Sequence, residues 1–142
     1  MKKILLLLMI SLALFGANVD EYAKEAGFER DYKAALLKAK NEKKLLMMVL
    51  GADYCPWCRK FERNTLSSEL IMPRLKADFV TLVVDKKFDS NSFPKEFQTQ
   101  LTPKVFFIDP TKQKSIYETT GYIKKKEFAK DLDKAQELFG GK

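Results

Sequence analysis

The sequence predicts an α/β fold: three layers, with a central mixed sheet of about four strands, helices on both faces and an extra N-terminal helix. Three observations carry this expectation. Leu45 to Leu50 and Phe79 to Val84 are continuous apolar runs of the length and composition of strands buried on both faces. Segments that can be helical alternate with them, which implies parallel pairing at first, with right-handed crossovers. Lys104 to Ile108 and Ser115 to Thr120 are separated by Asp109-Pro110-Thr111-Lys112, whose turn chemistry makes them a closing antiparallel hairpin.

The elements follow in order. Lys2 and Lys3 precede the apolar stretch Ile4 to Phe15, broken only by Ser11, and small residues follow at Gly16 and Ala17. That is the layout of an export signal, and the run is short of the ~20 residues a spanning helix needs. Residues 1–17 are therefore read as a signal peptide, 18–28 as an N-terminal extension and 29–142 as one domain, with a periplasmic location. Cleavage after Ala17 puts bulky Phe15 at a small-residue position. Ser11-Leu12-Ala13 fits the small-x-small rule but lies early, and retention as a weak anchor is the third outcome.

Glu29 to Lys44 reads as a helix with Tyr32, Leu36 and Ala39 on one face. After the first strand, Gly51 to Tyr54 carries the chain out of the sheet. A helix is expected from about Cys55 through Phe61 towards Leu66, with Asn64-Thr65 and Ser67-Ser68 suggesting a break. A short helix over Glu69 to Lys76 contains Pro73. Beyond the second strand, Asp85 to Phe93 reads as a polar loop and Pro94 to Gln100 as a short helix, proline suiting a first turn. Gly121 ends the hairpin. The last helix, Lys125 to Phe139, carries Phe128, Leu132, Ala135 and Phe139 on one stripe.

Composition narrows the function. The chain has 142 residues, 46% of them hydrophobic, with 26 basic and 19 acidic side chains. Removing residues 1–17 takes away two lysines and no acids. The remaining excess is modest and spread out. Lys124-Lys125-Lys126 reads as a solvated face rather than a nucleic-acid patch.

The two cysteines, Cys55 and Cys58, sit three apart at a strand-to-helix junction. A bridge across so short a gap removes little entropy from the unfolded chain, so stability explains it poorly. Zinc needs four ligands, usually Cys or His, and the chain contains no His, so no metal is expected. Covalent haem would need His after the second Cys, where Arg59 stands. Reversible thiol–disulfide exchange and an inert pair remain, and exchange is the expected use. At the first turn of a helix the Cys55 sulfur meets unpaired N–H groups, which favour the thiolate; Arg59 and Lys60 act in the same sense and Asp53 against them. Cys55 is expected to be the more exposed, attacking sulfur, and Cys58, one turn on, the resolving thiol. Pro103, just before an apolar strand, is compatible with either peptide isomer.

In these markers the chain resembles the thioredoxin superfamily over roughly residues 29 to 139. They are the strand Leu45–Leu50, Ala52-Asp53-Tyr54-Cys55-Pro56-Trp57-Cys58, Phe79–Asp85, Thr102-Pro103 and Gly121. The continuation Cys58-Arg59-Lys60-Phe61-Glu62 and the leading helix are similar to exported members such as the DsbD C-terminal domain and SoxW-type proteins. The resemblance implies a cis proline at Pro103 facing the cysteines and a client strand bound along Thr102. It puts Tyr54 where many members carry Trp, and Trp57 on the client groove. In one departure, the buried Asp that thioredoxins often carry six residues before the first cysteine is Val49 here. Cys58 must then be deprotonated by water, another carboxylate such as Asp53, or the leaving thiolate.

The expected function is an exported thiol–disulfide oxidoreductase that reduces disulfides of other exported proteins and is fed by a membrane thiol electron donor. It needs no bound cofactor, takes no nucleic acid and acts as a monomer. The rivals are an oxidase or isomerase, and a non-catalytic binding or chaperone module of the same fold.

Overall fold

A computed structural model describes residues 19–141. The expected signal peptide, residues 1–17, lies outside them. The first described element, Val19–Ala26 in the extension, forms α1, ahead of the helix expected from Glu29. Val19 and Ala23 pack on Val83, with Tyr22 and Phe28 against the same cluster.

Helix α2 spans Tyr32–Glu42 rather than starting at Glu29, because Asp31 caps it, accepting the Ala34 N–H at 2.7 Å. Glu29 instead bonds to sheet backbone: its N–H donates to the Thr81 carbonyl and its carbonyl accepts the Val83 N–H. That one-residue bridge covers part of a strand edge. Strand β1 is Leu45–Gly51 and β2 is Phe79–Asp85, parallel to it in the register Leu45 to Phe79. Between them run α3 (Pro56–Phe61), a π-helical turn (Glu62–Leu66) and α4. Helix α4 is Met72–Asp78, about three residues later than expected, because Pro73 fits only a first turn. The break at Ser67–Ile71 takes up the difference.

Pro94–Gln100 is not a helix beyond the single 3₁₀ turn Lys95–Phe97. The stretch 86–103 therefore makes no crossover and returns the chain at the end of the sheet where β2 stopped. So β3 (Lys104–Asp109) enters antiparallel to β1, correcting the expectation that antiparallel pairing begins with the closing hairpin. Strand β4 (Lys114–Thr120) pairs antiparallel with β3, and the sheet order is β2-β1-β3-β4. Helix α5, Lys125–Gly140, closes the fold.

The period of two along β1 divides the core. Leu46, Met48 and Leu50 face α2 with Phe97 and Phe106. Leu45, Met47 and Val49 face Phe61, Phe107 and Phe128, against α3, α4 and α5. Phe61 and Phe128 meet edge to face at 5.1 Å between centroids. With both faces covered, β1 is buried at every position.

Candidate active site

The site begins where β1 runs out. Gly51 ends the strand, and Cys55 has the extended backbone of an N-cap, φ −130° and ψ 92°. Pro56 follows in the first turn, where its missing N–H costs nothing. The Cys55 Sγ accepts the Cys58 N–H at 3.1 Å, the position a Ser or Asp oxygen takes in an ordinary cap. Cys55 and Cys58 are joined by a disulfide. Cys55 is 8% exposed and Cys58 1%. A cap residue stands over the helix end, whereas a residue one turn in points at the sheet. Cys58 lies beneath Gly51: a Cβ built there would stand 3.9 Å from Cys58 Sγ, 3.6 Å from Arg59 Nη2 and 3.7 Å from Val19 Cγ1. Thus the start of α1 and the inner cysteine both come close to the end of β1 at Gly51.

The second element arrives from β3. Thr102 Oγ1 donates to Cys55 Sγ at 3.4 Å, and the Thr102–Pro103 peptide bond is cis. The Pro103 carbonyl accepts the Gly121 N–H at 2.8 Å. Gly121 has φ +84°, a conformation in which a Cβ is strained, so its place between β4 and α5 is dictated by backbone geometry. Tyr54 is fully exposed and Trp57 more than half exposed. Trp57 stacks on Tyr122 at 5.8 Å, and the Lys60 ammonium lies 5.0 Å from the Trp57 ring and 4.8 Å from that of Tyr122. Tyr54, Cys55, Pro56, Trp57 and Thr102 line one cavity of about 430 Å³. Among the sequence-derived site residues, Pro103 does not line it and sits buried behind Thr102.

Val49 is packed in the core; Asp85 is a buried carboxylate on the cavity wall, and a second buried carboxylate of this region is Glu62. It lies four residues after Cys58, on the same face by helical spacing. Its Oε1 accepts from Arg59 Nη2 at 2.8 Å. Burial pushes the Glu62 carboxyl up to about 7, against the lowering pull of the Arg59 and Arg63 charges. The sequence reading assigned Glu62 no chemistry; the i, i+4 spacing from Cys58 was the available signal. Asp53, the carboxylate named for that task, is half-buried on the cavity wall. Among the described residues no group of three or more His, Cys, Asp or Glu could hold a metal ion, and no helix is long and apolar enough to cross a membrane.

A family model described as a thioredoxin-like domain matches residues 32–136. A thiol:disulfide interchange protein DsbD of Actinobacillus pleuropneumoniae serotype 5b (strain L20) is 28% identical over an aligned stretch of 115 residues, with 76% of this chain and 20% of that protein's length covered. The chain thus spans about a fifth of the curated relative it matches. Among solved structures, a thioredoxin from Thermus thermophilus superposes with a TM-score of 0.66 at 22% identity, covering 75% of this chain and 85% of that one. The oxidised DsbD C-terminal domain of Neisseria meningitidis gives 0.60 at 19% identity, covering 76% and 98%. These structural likenesses speak for the fold.

Proposed function

Since the chain belongs to the thioredoxin-like family, we propose that it is a thiol–disulfide oxidoreductase working outside the cytoplasm, reducing disulfides of other exported proteins. The observation that carries this reading is the unequal placement of the two sulfurs, Cys55 over the helix start on an open cavity and Cys58 behind it.

The exchange balances as follows. The Cys55 thiolate attacks one sulfur of a client disulfide, forming a mixed disulfide and expelling the first client thiolate. Cys58, after losing its proton, attacks Cys55 Sγ. The intramolecular disulfide forms and the second client thiolate leaves. Two electrons have passed to the client, and a dithiol donor must return them. The helix-start amides favour the attacking anion at Cys55. Thr102 holds the sulfur beside the backbone along which the client strand would add, with Pro103 setting the course of that backbone. Tyr54, Pro56 and Trp57 form the surrounding wall. Glu62 accepts the Cys58 proton in the place Val49 cannot serve. Residues 1–17 direct export, the remaining chain acts as a monomer, and a membrane thiol donor recharges it. The similarity to a DsbD protein and the sequence pattern of the leader support this part of the reading.

Two measurements test it. Cys58→Ser should accumulate client proteins as mixed disulfides through Cys55, and Cys55→Ser should capture none; a functional Cys55→Ser protein would instead mean a binding module. The reduction potential should fall near −270 mV, whereas a value near −120 mV would reverse the direction to oxidation.

A further inference from the structure

Phe88 is 72% exposed, yet it is not on a loose loop. Its backbone N–H donates to Asp85 Oδ1 at 2.9 Å, beside the Lys87 N–H at 2.7 Å. The Asp85 N–H in turn donates to Asp89 Oδ2 at 2.7 Å, and that carboxylate is held by Arg30 Nη1 at 2.8 Å. A pinned turn thus presents a large aromatic ring to water, forgoing the stabilisation its burial would contribute. Exposed apolar groups gathered at one place mark interaction sites. Here Phe88 lines the same cavity as Tyr54, Trp57 and Cys55. Lysines accompany the rings: Lys87 Nζ lies 5.6 Å from the Phe88 ring, as Lys60 lies over Trp57. Among the described residues no carboxylate is within ion-pair distance of Lys60, Lys86 or Lys87.

We propose that the turn 86–88 is a second recognition wall, and that the clients of this protein present an extended segment carrying a large apolar side chain and carboxylates close to the reacting cysteine. The apolar group sits against Phe88 and Tyr54; the carboxylates meet Lys87 and Lys60. The proposal rests on the exchange reading above and deepens it by naming the substrate class. Affinity from such half-exposed pairs is modest and salt-sensitive, so they act as a selector rather than an anchor.

Trp57 is the only tryptophan of the chain, so its emission reports on this cavity directly. The oxidised mature protein is titrated with a short peptide in which Ser replaces the client Cys, flanked by Phe and Glu, and with a twin carrying Lys for Glu. The acidic peptide should bind about fivefold or more tightly than its twin at low salt, the margin shrinking with added NaCl. Lys87→Glu should abolish the preference, and Phe88→Ala should weaken both peptides; both side chains are exposed, and circular dichroism verifies the fold. Equal binding of the twins, or unchanged affinities in both variants, overturns the proposal. So does an emission change on concentrating the protein without peptide, which assigns the patch to a second copy. Exchange of the wild type with 2-hydroxyethyl disulfide is measured in parallel. Selective docking without exchange defeats the redox reading alone, and exchange without selective docking defeats the wall alone.

Discussion

Glu62 is where the residue scale has most to say. A carboxyl with a folded pKa near 7, above its unfolded value, binds its proton more tightly in the native state. Its contribution to stability is complete below the unfolded pKa of about 4.5 and is lost as pH rises through about 7. Wild-type stability relative to Glu62→Gln should therefore fall between those values and run level above them; denaturant titrations at a series of pH values check the slope. The lost Arg59 ion pair shifts the offset, not the slope. In the same variant the pH dependence of mixed-disulfide resolution near 7 should flatten, if Glu62 takes the Cys58 proton. Gly51 shows how a residue's surroundings are shared between distant segments, since Arg59, Val19 and Cys58 all come within 4 Å of a Cβ built there. Gly51→Ala should be tolerated, within about 1 kcal/mol, because the added carbon makes ordinary contacts, whereas Gly51→Leu must displace Arg59 or Val19 and cost about 1–3 kcal/mol.

Among the elements, the ends of the helices differ most in how they are closed. Lys43 closes α2 in the left-handed conformation, φ 55°, donating its N–H to the Ala39 and Lys40 carbonyls. Glycine is the residue that conformation favours, so Lys43→Gly should raise stability by about 1 kcal/mol, read as an upward shift of the urea midpoint. Helix α3 shows the opposite economy. Its cap is the Cys55 sulfur, its first turn holds a proline, and it passes into a π-helical turn at Glu62–Leu66, which Thr65 fastens to the Ile123 carbonyl at 2.5 Å. The end of the helix is thereby tied to the segment between Gly121 and α5, the one that also holds Pro103.

Across the whole molecule, one sheet serves two cores, and Phe107 is the residue through which most of the larger one communicates. Its ring contacts those of Phe79, Tyr117 and Phe128, joining β2, β4 and α5. Phe107→Ala should cost about 3–5 kcal/mol, a large share of the ~5–15 kcal/mol of a typical domain, and chemical denaturation would show it. The same sheet sets the site. Cys55 follows β1 at its C-terminal end, Asp85 closes β2 at that end, and Thr102 precedes β3 there because β3 runs the other way.

Some of this was readable in one dimension, because it depends on neighbours in the chain. The apolar runs of β1 and β2, the stripe of α5, the spacing of Cys55 and Cys58 and the proline after the cap are local signals with local causes. Boundaries were less legible: Asp31, Pro73 and the single turn at Lys95–Phe97 moved them, since caps and loop paths are settled by competing hydrogen bonds. What required folding in three dimensions is the company each residue keeps. Nothing in the order of residues brings Val19 to Gly51, Thr102 to Cys55 or Phe88 to the cavity of Trp57. Those meetings follow from the direction of β3 and from burial on both faces of β1, which are properties of a closed packing and of no single segment.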